Sequence, residues 1–129
     1  MPTGTNVKVV DASALAALLF GEPQANAVAA RLRGAILVAP ALLGFEIANV
    51  CLKKIRRHAA LRGALLSAFS IYAQIPIEIV EIDHADALRL ADASGLTFYD
   101  AAYLWLARRL GGELVTLDSR LHATWSERR

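Results

Sequence analysis

The stretch "VKVVDASALAALLF", residues 7 to 20, joins two kinds of pattern around one acid. Val7, Val9 and Val10 read as a short buried strand, and Ala12 to Phe20 as an apolar helix. Asp11 stands at the joint, and no lysine or arginine occurs from Val9 through Gly21 to neutralise it. An unpaired carboxylate at the entrance to a core is costly, so its presence there needs a cause.

Outward from this joint the same alternation repeats. Val7 to Val10, Ile36 to Val38, Ile77 to Ile82 and Glu113 to Leu117 read as strands bounded by Gly, Pro or Asp. Between them lie helical patterns over Ala12 to Phe20, Gln24 to Arg33, Ala41 to Arg57, Leu61 to Gln74, Ala85 to Ser94 and Asp100 to Leu110. Pro23 and Pro40 precede or open helices, and Gly34, Gly95 and the pair Gly111-Gly112 follow helix ends. Alternating strands and helices predict a single α/β domain over residues 1–129, with a mostly parallel sheet covered on both faces.

The composition is 56% hydrophobic, with a mean hydropathy of +0.41. The longest uncharged runs, Gly63 to Ile77 and Gly34 to Phe45, each contain a proline and fall short of the ~18 apolar residues of a membrane span. The start, Met1-Pro2-Thr3-Gly4, lacks the charged and apolar regions of a signal peptide, so the expected location is the cytoplasm, with no membrane partner. The single cysteine, Cys51, excludes an internal disulfide and a thiolate metal site and reads as core filler. A net charge of +2 and a pI near 9.0 mildly favour an anionic partner.

Sheets of this type place their sites outside the carboxyl ends of the strands. Asp11 follows the first strand, and Asp118 is expected to end the fourth in "ELVTLDSRL". Glu46 projects from an apolar helix face among Leu42, Leu43, Ile47 and Val50, and Asp100 is expected to open an apolar helix. Taken singly, each acid has a local explanation: Asp11 and Asp100 as helix N-caps, Asp118 as the cap of a last short helix, Glu46 as a half-exposed helix residue. Taken together, they are four acids beside apolar elements, with a basic neighbour only through Lys53 or Arg120. Clustered carboxylates without a cation point to a hard divalent ion, Mg²⁺ or Mn²⁺, which takes oxygen ligands. Zinc is disfavoured, because His58, His84 and His122 show no paired ligand spacing.

These residues resemble a known family. "VVDASAL" looks like the opening strand and first Asp of the PIN-domain ribonucleases, and "FEIANV" like their helical Glu. "GLTFYDAAYLWLARRLGGELVTLDSRL" looks like their closing segment, with a Tyr-Asp, an apolar helix, a Gly turn and a Thr-x-Asp. The likeness is to the compact VapC-like toxins of bacterial toxin–antitoxin pairs. It implies a three-layer α/β/α fold with a central, mostly parallel sheet of four to five strands. It also implies Mg²⁺- or Mn²⁺-dependent hydrolysis of RNA phosphodiesters to 5′-phosphate products, with Asp11, Glu46, Asp100 and Asp118 as the metal-binding and catalytic acids. Ser13 and Thr116 match small hydroxyl positions near the pocket, there either to orient metal-bound water or to hydrogen-bond the local backbone. A cognate antitoxin whose tail occupies the pocket groove and a homodimer are the implied partners, the dimer drawing on Ala41 to Arg57 and Leu61 to Gln74. One departure stands out: only eleven residues, "SRLHATWSERR", follow Asp118, which leaves room for a short helix and puts a final edge strand in question.

The remaining polar residues have simpler assignments. Asp83 reads as a helix cap, Asp86 as solvated opposite Arg89, and Asp92 as a reserve ligand near the inward face. "KKIRRHAALR", residues 53 to 62, reads as a solvated helix end or as an RNA-phosphate contact. Two other functions stay open. A Mg²⁺-dependent phosphatase of α/β type would carry a second acid where Ser13 stands, and a catalytically inactive module could keep the fold to bind RNA or protein.

Overall fold

The computed structural model describes residues 2–4 and 6–127. Its four strands are β1 (Val7–Val10), β2 (Ile36–Ala39), β3 (Ile77–Ile79) and β4 (Glu113–Val115). The helices are α1 (Ala12–Leu19), α2 (Ala25–Leu32), α3 (Leu42–Arg57), α4 (Arg62–Ser70), α5 (His84–Ser94), α6 (Phe98–Leu110) and α7 (Ser119–Glu127). The expected helix from Leu61 to Gln74 is α4 flanked by two short 3-10 turns, Ala59–Leu61 and Ile71–Gln74.

The sheet order is β3-β2-β1-β4, and every pairing is parallel. From β1 the chain steps outward to β2 and β3, then returns to place β4 on the other side of β1. Right-handed crossovers require the helices of the outward steps and of the return to lie on opposite faces. They do. Val10, Leu37, Ala39 and Val115 pack with α1, α2 and α3 in one core, while Val7, Val9, Val38 and Leu114 pack with α5, α6 and α7 in the other. The two-residue alternation of the strands thus builds a three-layer α/β/α domain.

Two strands are shorter than the sequence pattern predicts, and in each case the neighbouring strand ends the ladder. β3 pairs Ile77, Glu78 and Ile79 with Leu37, Val38 and Ala39, and a last bond runs from Val80 N–H to Ala39 O at 3.0 Å. Beyond Ala39 stands Pro40, which has no N–H to offer, so Glu81 and Ile82 leave the sheet. β4 ends at Val115 because its partner β1 turns into α1 at Asp11, whose N–H reaches Val115 O at 3.1 Å. Asp118 therefore lies three residues beyond the strand rather than at its end.

Among the described residues there is no fifth strand. The residues after Asp118 form α7, which buries Leu121 completely and packs Trp125, four residues on, against the same core. One face of a short helix is what that spacing supports.

The return into β4 is made by a Gly pair. Gly111 caps α6 at φ 65°, and Gly112 N–H closes back on Ala107 O at 3.0 Å. A Cβ at Gly112 would stand 2.5 Å from the carbonyl oxygen of Val7, so the approach of this turn to β1 admits only glycine. Gly112→Ala should destabilise the domain by about 1–3 kcal/mol, through displacement of β1 from β4. Urea unfolding checks it, and an unchanged midpoint would show that the turn relaxes without effect.

Candidate metal and catalytic site

β1 and β4 are adjacent in the sheet but lie at opposite ends of the chain, so the strand order reverses between them. Their carboxyl ends form the crevice in which such sheets bind ligands. Asp11 occupies it, only 5% exposed. It is the N-cap of α1: its Oδ1 accepts from Ala14 N–H at 3.0 Å and from the Ser13 hydroxyl at 2.7 Å, while its Oδ2 accepts from Thr116 Oγ1. The two hydroxyls are themselves acceptors. Leu117 N–H donates to Ser13 Oγ at 2.9 Å, and Asp118 N–H to Thr116 Oγ1 at 3.0 Å. Ser13 and Thr116 thus direct their protons at Asp11 and hold the loop that carries Asp118, a local hydrogen-bonding role.

Asp118 is exposed, and its Oδ1 accepts from Leu121 N–H at 2.8 Å, capping α7. Asp100 does not open its helix. Thr97 caps α6, its Oγ1 accepting from Asp100 N–H at 3.1 Å, and Asp100 sits in the first turn with its carboxyl half-buried. Glu46 lies one turn inside α3, also half-buried, and its Oε1 accepts from the hydroxyl of Tyr103 at 2.6 Å. Tyr103 is 1% exposed and belongs to the α6 layer, whereas α3 belongs to the opposite one, so this bond spans the edge of the sheet. Sequence reading missed Tyr103. The signal was present, since a tyrosine three residues after Asp100 shares its helix face and a buried hydroxyl needs a partner.

The acids feel one another. Burial raises the pKa of Asp11, opposed by hydrogen bonds from Thr116, Ala14 and Ser13, and the charge of Asp118 adds to the rise. Burial also raises Glu46, against the pull of the Tyr103 hydrogen bond, and the charges of Asp11 and Asp100 push it further. Asp100 is raised by burial and by the charges of Asp118 and Asp11; Thr97 and Arg120 offset this only in part. The Arg120 guanidinium is committed elsewhere, donating to Gly95 O at 2.6 Å. None of the ion pairs among the described residues includes any of the four acids.

The donor set fits a hard cation in kind, with oxygen ligands and uncompensated negative charge. It is not closed in geometry: among the described residues, no three His, Cys, Asp or Glu side chains stand close enough to hold an ion between them. Asp83 caps α5 and Asp86 pairs with Arg89 at 2.7 Å, as expected, and Asp92 is exposed, outside the mutual influence of the four. His58, His84 and His122 are exposed, and Cys51 is buried in α3. The basic run ends α3: Lys54, Arg56 and Arg57 fill its last turn, and Lys54 pairs with Glu22 at 2.9 Å. No helix among the described residues is long and apolar enough to cross a membrane.

A parallel sheet with a buried, charge-coupled acid at its reversal point defines a class, and comparison with known families agrees on which. The PIN domain model matches residues 8–124, from β1 into α7, and the chain belongs to that family. It is 36% identical over 119 residues to a protein named Ribonuclease VapC3 from Pyrobaculum aerophilum, covering 88% of this chain and 90% of the relative. It is 31% identical over 113 residues to Ribonuclease VapC12 from Mycobacterium tuberculosis, covering 88% of each. The crystal structure of PAE2754 from Pyrobaculum aerophilum superposes with a TM-score of 0.66 at 31% identity, over 90% of this chain and 82% of that one.

The raised carboxyls dictate a pH dependence. A carboxyl whose pKa is higher folded than unfolded binds more protons in the native state, so its contribution favours folding below the unfolded pKa and is lost as pH rises through the folded one. Asp11, Glu46 and Asp100 all have this sign, each raised above its ordinary carboxyl value. With chelator present, the protein should melt higher at about pH 5 than at about pH 7.5, the reverse of ordinary acid destabilisation. Mg²⁺ should flatten the profile. Melting curves across that range check it, and a chelated protein that gains stability with rising pH would mean that the acids are not crowded.

Proposed function

We propose that this protein is a metal-dependent ribonuclease and the toxin of a toxin–antitoxin pair. The observation that carries the reading is that Asp11, Glu46 and Asp100 are each raised by burial and by neighbouring acid charge, with none of the four acids in an ion pair among the described residues, at the reversal point of a PIN-domain sheet. Kinship with proteins named Ribonuclease VapC3 and VapC12 supports RNA as substrate and an antitoxin as partner. Asp11, Glu46, Asp100 and Asp118 would hold Mg²⁺ or Mn²⁺. That ion, when bound, supplies a water of lowered pKa and stabilises charge on the leaving oxygen.

The chain's own residues prepare the site. Ser13, Thr116 and the Ala14 N–H hold Asp11 in one orientation, and Tyr103 does the same for Glu46. Both anchors keep a carboxylate from swinging toward solvent, as ligand-orienting partners do in metal sites. The alternative of an α/β phosphatase has less support. The position where such enzymes carry a second acid is Ser13, whose hydroxyl is already engaged by Asp11 and Leu117. An inactive RNA- or protein-binding module needs no such set of anchored acids. A homodimer through α3 and α4 is supported by Phe45, 78% exposed, together with the exposed Leu52 and Leu66.

Asp100→Asn separates these readings. The helix cap belongs to Thr97, so the substitution removes charge without removing the cap. With chelator, the variant should melt at or above wild type, because one of several like charges is gone. Mg²⁺ should stabilise wild type more than the variant. Cleavage of bulk RNA should fall about a hundredfold or more, since a lost ligand misplaces the ion. Paired melting curves and a cleavage assay read all three effects. Normal cleavage with a full Mg²⁺ response would remove Asp100 from the site, and a wild type that leaves RNA intact would remove the ribonuclease.

A further inference from the structure

A cavity of about 280 Å³ opens outside the carboxyl ends of β2 and β3, its wall including Tyr99, the sequence neighbour of Asp100. Its walls are Pro40 and Leu42 from the start of α3, Ile82 from the segment after β3, and Phe98, Tyr99 and Ala102 from α6. His84, also in the wall, stacks on Phe98 with ring centroids 6.0 Å apart and planes 16° from parallel. We propose that this cavity is the subsite for one unpaired nucleobase of the strand being cut, stacked against Tyr99 and Phe98. The proposal deepens the ribonuclease reading and rests on it for the identity of the substrate.

Three observations favour a base as occupant. The first is continuity with the acids: Tyr99 precedes Asp100 in the same helical turn, and Leu42 lies four residues before Glu46 on one face of α3. A phosphodiester at the carboxyls therefore brings its neighbouring nucleoside to this opening. The second is charge. No lysine or arginine lines the cavity, and its acidic or basic wall residues are Glu81 and His84, so a neutral ring suits it better than an anionic group. The third is shape. The volume lies just under the ~300–1,000 Å³ of sites for drug-sized ligands, and the walls offer flat rings, with Tyr99 59% exposed and aimed at no partner ring. Unpaired bases stack on such side chains without regard to sequence, whereas paired RNA keeps its bases in the helix. The expected substrate is single-stranded, cut beside a base that can leave the stack.

The test uses neutral nucleosides as probes, so that binding is read without the metal and without cleavage. Adenosine, guanosine, cytidine and uridine are titrated into the whole chain while the ring resonances of Phe98, Tyr99 and His84 are followed by NMR. At least one nucleoside should shift them saturably. Tyr99→Ala, at a surface position that leaves the core intact, should abolish the shift, and Tyr99→Trp should keep it. Ala102→Leu, which fills the cavity, should also abolish it. On unpaired RNA, Tyr99→Ala should lower kcat/KM about tenfold, chiefly through KM, and change the preferred cleavage positions. Rings that ignore every nucleoside, or a Tyr99→Ala protein that cuts the same positions at the same kcat/KM, would overturn the proposal. Rings that ignore nucleosides but respond to N-acetyl-leucine methylamide would overturn it in favour of a protein side chain. Nucleoside binding in a protein that cuts no RNA would uphold the base subsite and remove the ribonuclease reading.

Discussion

The structure turns on one buried carboxylate. Asp11 lies inside the joint of β1 and α1, where an ionised group without partners would cost several kcal/mol. Hydrogen bonds from the two neighbouring elements, α1 and the β4–α7 connection, make the position tenable. Hydrogen bonds to a charged acceptor are worth about 1.5–3 kcal/mol each, enough to offset the loss of water without turning the burial into a large gain. The Thr116 donor lies 105 positions from Asp11 along the chain, so completing the set around Asp11 requires β4 to lie next to β1. Local chemistry and global topology are thereby tied together. The sheet cannot slip without leaving a buried acid unsatisfied.

The remaining acids are treated differently. Asp118, Asp100 and Glu46 have no counter-charge among the observed ion pairs; the charge of Asp118 raises Asp11 and Asp100, and those of Asp11 and Asp100 raise Glu46. Acids elsewhere among the described residues either pair or face water: Glu22 pairs with Lys54, Asp86 with Arg89, and Glu113 with both Lys8 and Arg31, while Glu78, Glu81, Asp83, Asp92 and Glu127 are exposed. The contrast argues that the imbalance at the crevice is kept for a task rather than left by chance. Strain and unpaired charge concentrate where a site is built, and the rest of the fold supports them.

How much of this was legible follows from how local each feature is. β1 was readable to the residue because valines alternate around Lys8 and a polar acid ends the run. The four acids could be read because each interrupts an apolar pattern. The ends of β3 and β4 could not, since they depend on Pro40 and Asp11 in neighbouring strands, which no window along one strand contains. The cap of α6 was read at Asp100 and falls at Thr97, three residues earlier in a capping arrangement, because the cap is decided by where the chain enters the helix. Ser13 and Thr116 were marked as polar neighbours of the site, but their direction toward Asp11 is a tertiary fact. The bond from Tyr103 to Glu46 crosses two layers and 57 residues, beyond any periodicity argument.

That same bond explains why the site is split between rigid and adaptable parts. Tyr103 is fixed in a close-packed core, and its hydroxyl, pushed well above the ordinary tyrosine range by burial and by Glu46, stays a proton donor at any physiological pH. It therefore holds Glu46 whatever the charge state of the crevice. Asp11 is held as firmly from the other side. Asp118, on an exposed loop, is held by one bond from Leu121 N–H, and Asp100, on the first turn of a helix, feels its charge. Under the proposed function, these two would adjust to an incoming ion while Asp11 and Glu46 define where it sits. A cationic side chain from a protein partner would meet the same imbalance and satisfy it in the same place. Ion and partner would then compete for a single deficit of positive charge, so inhibition would require no change of fold.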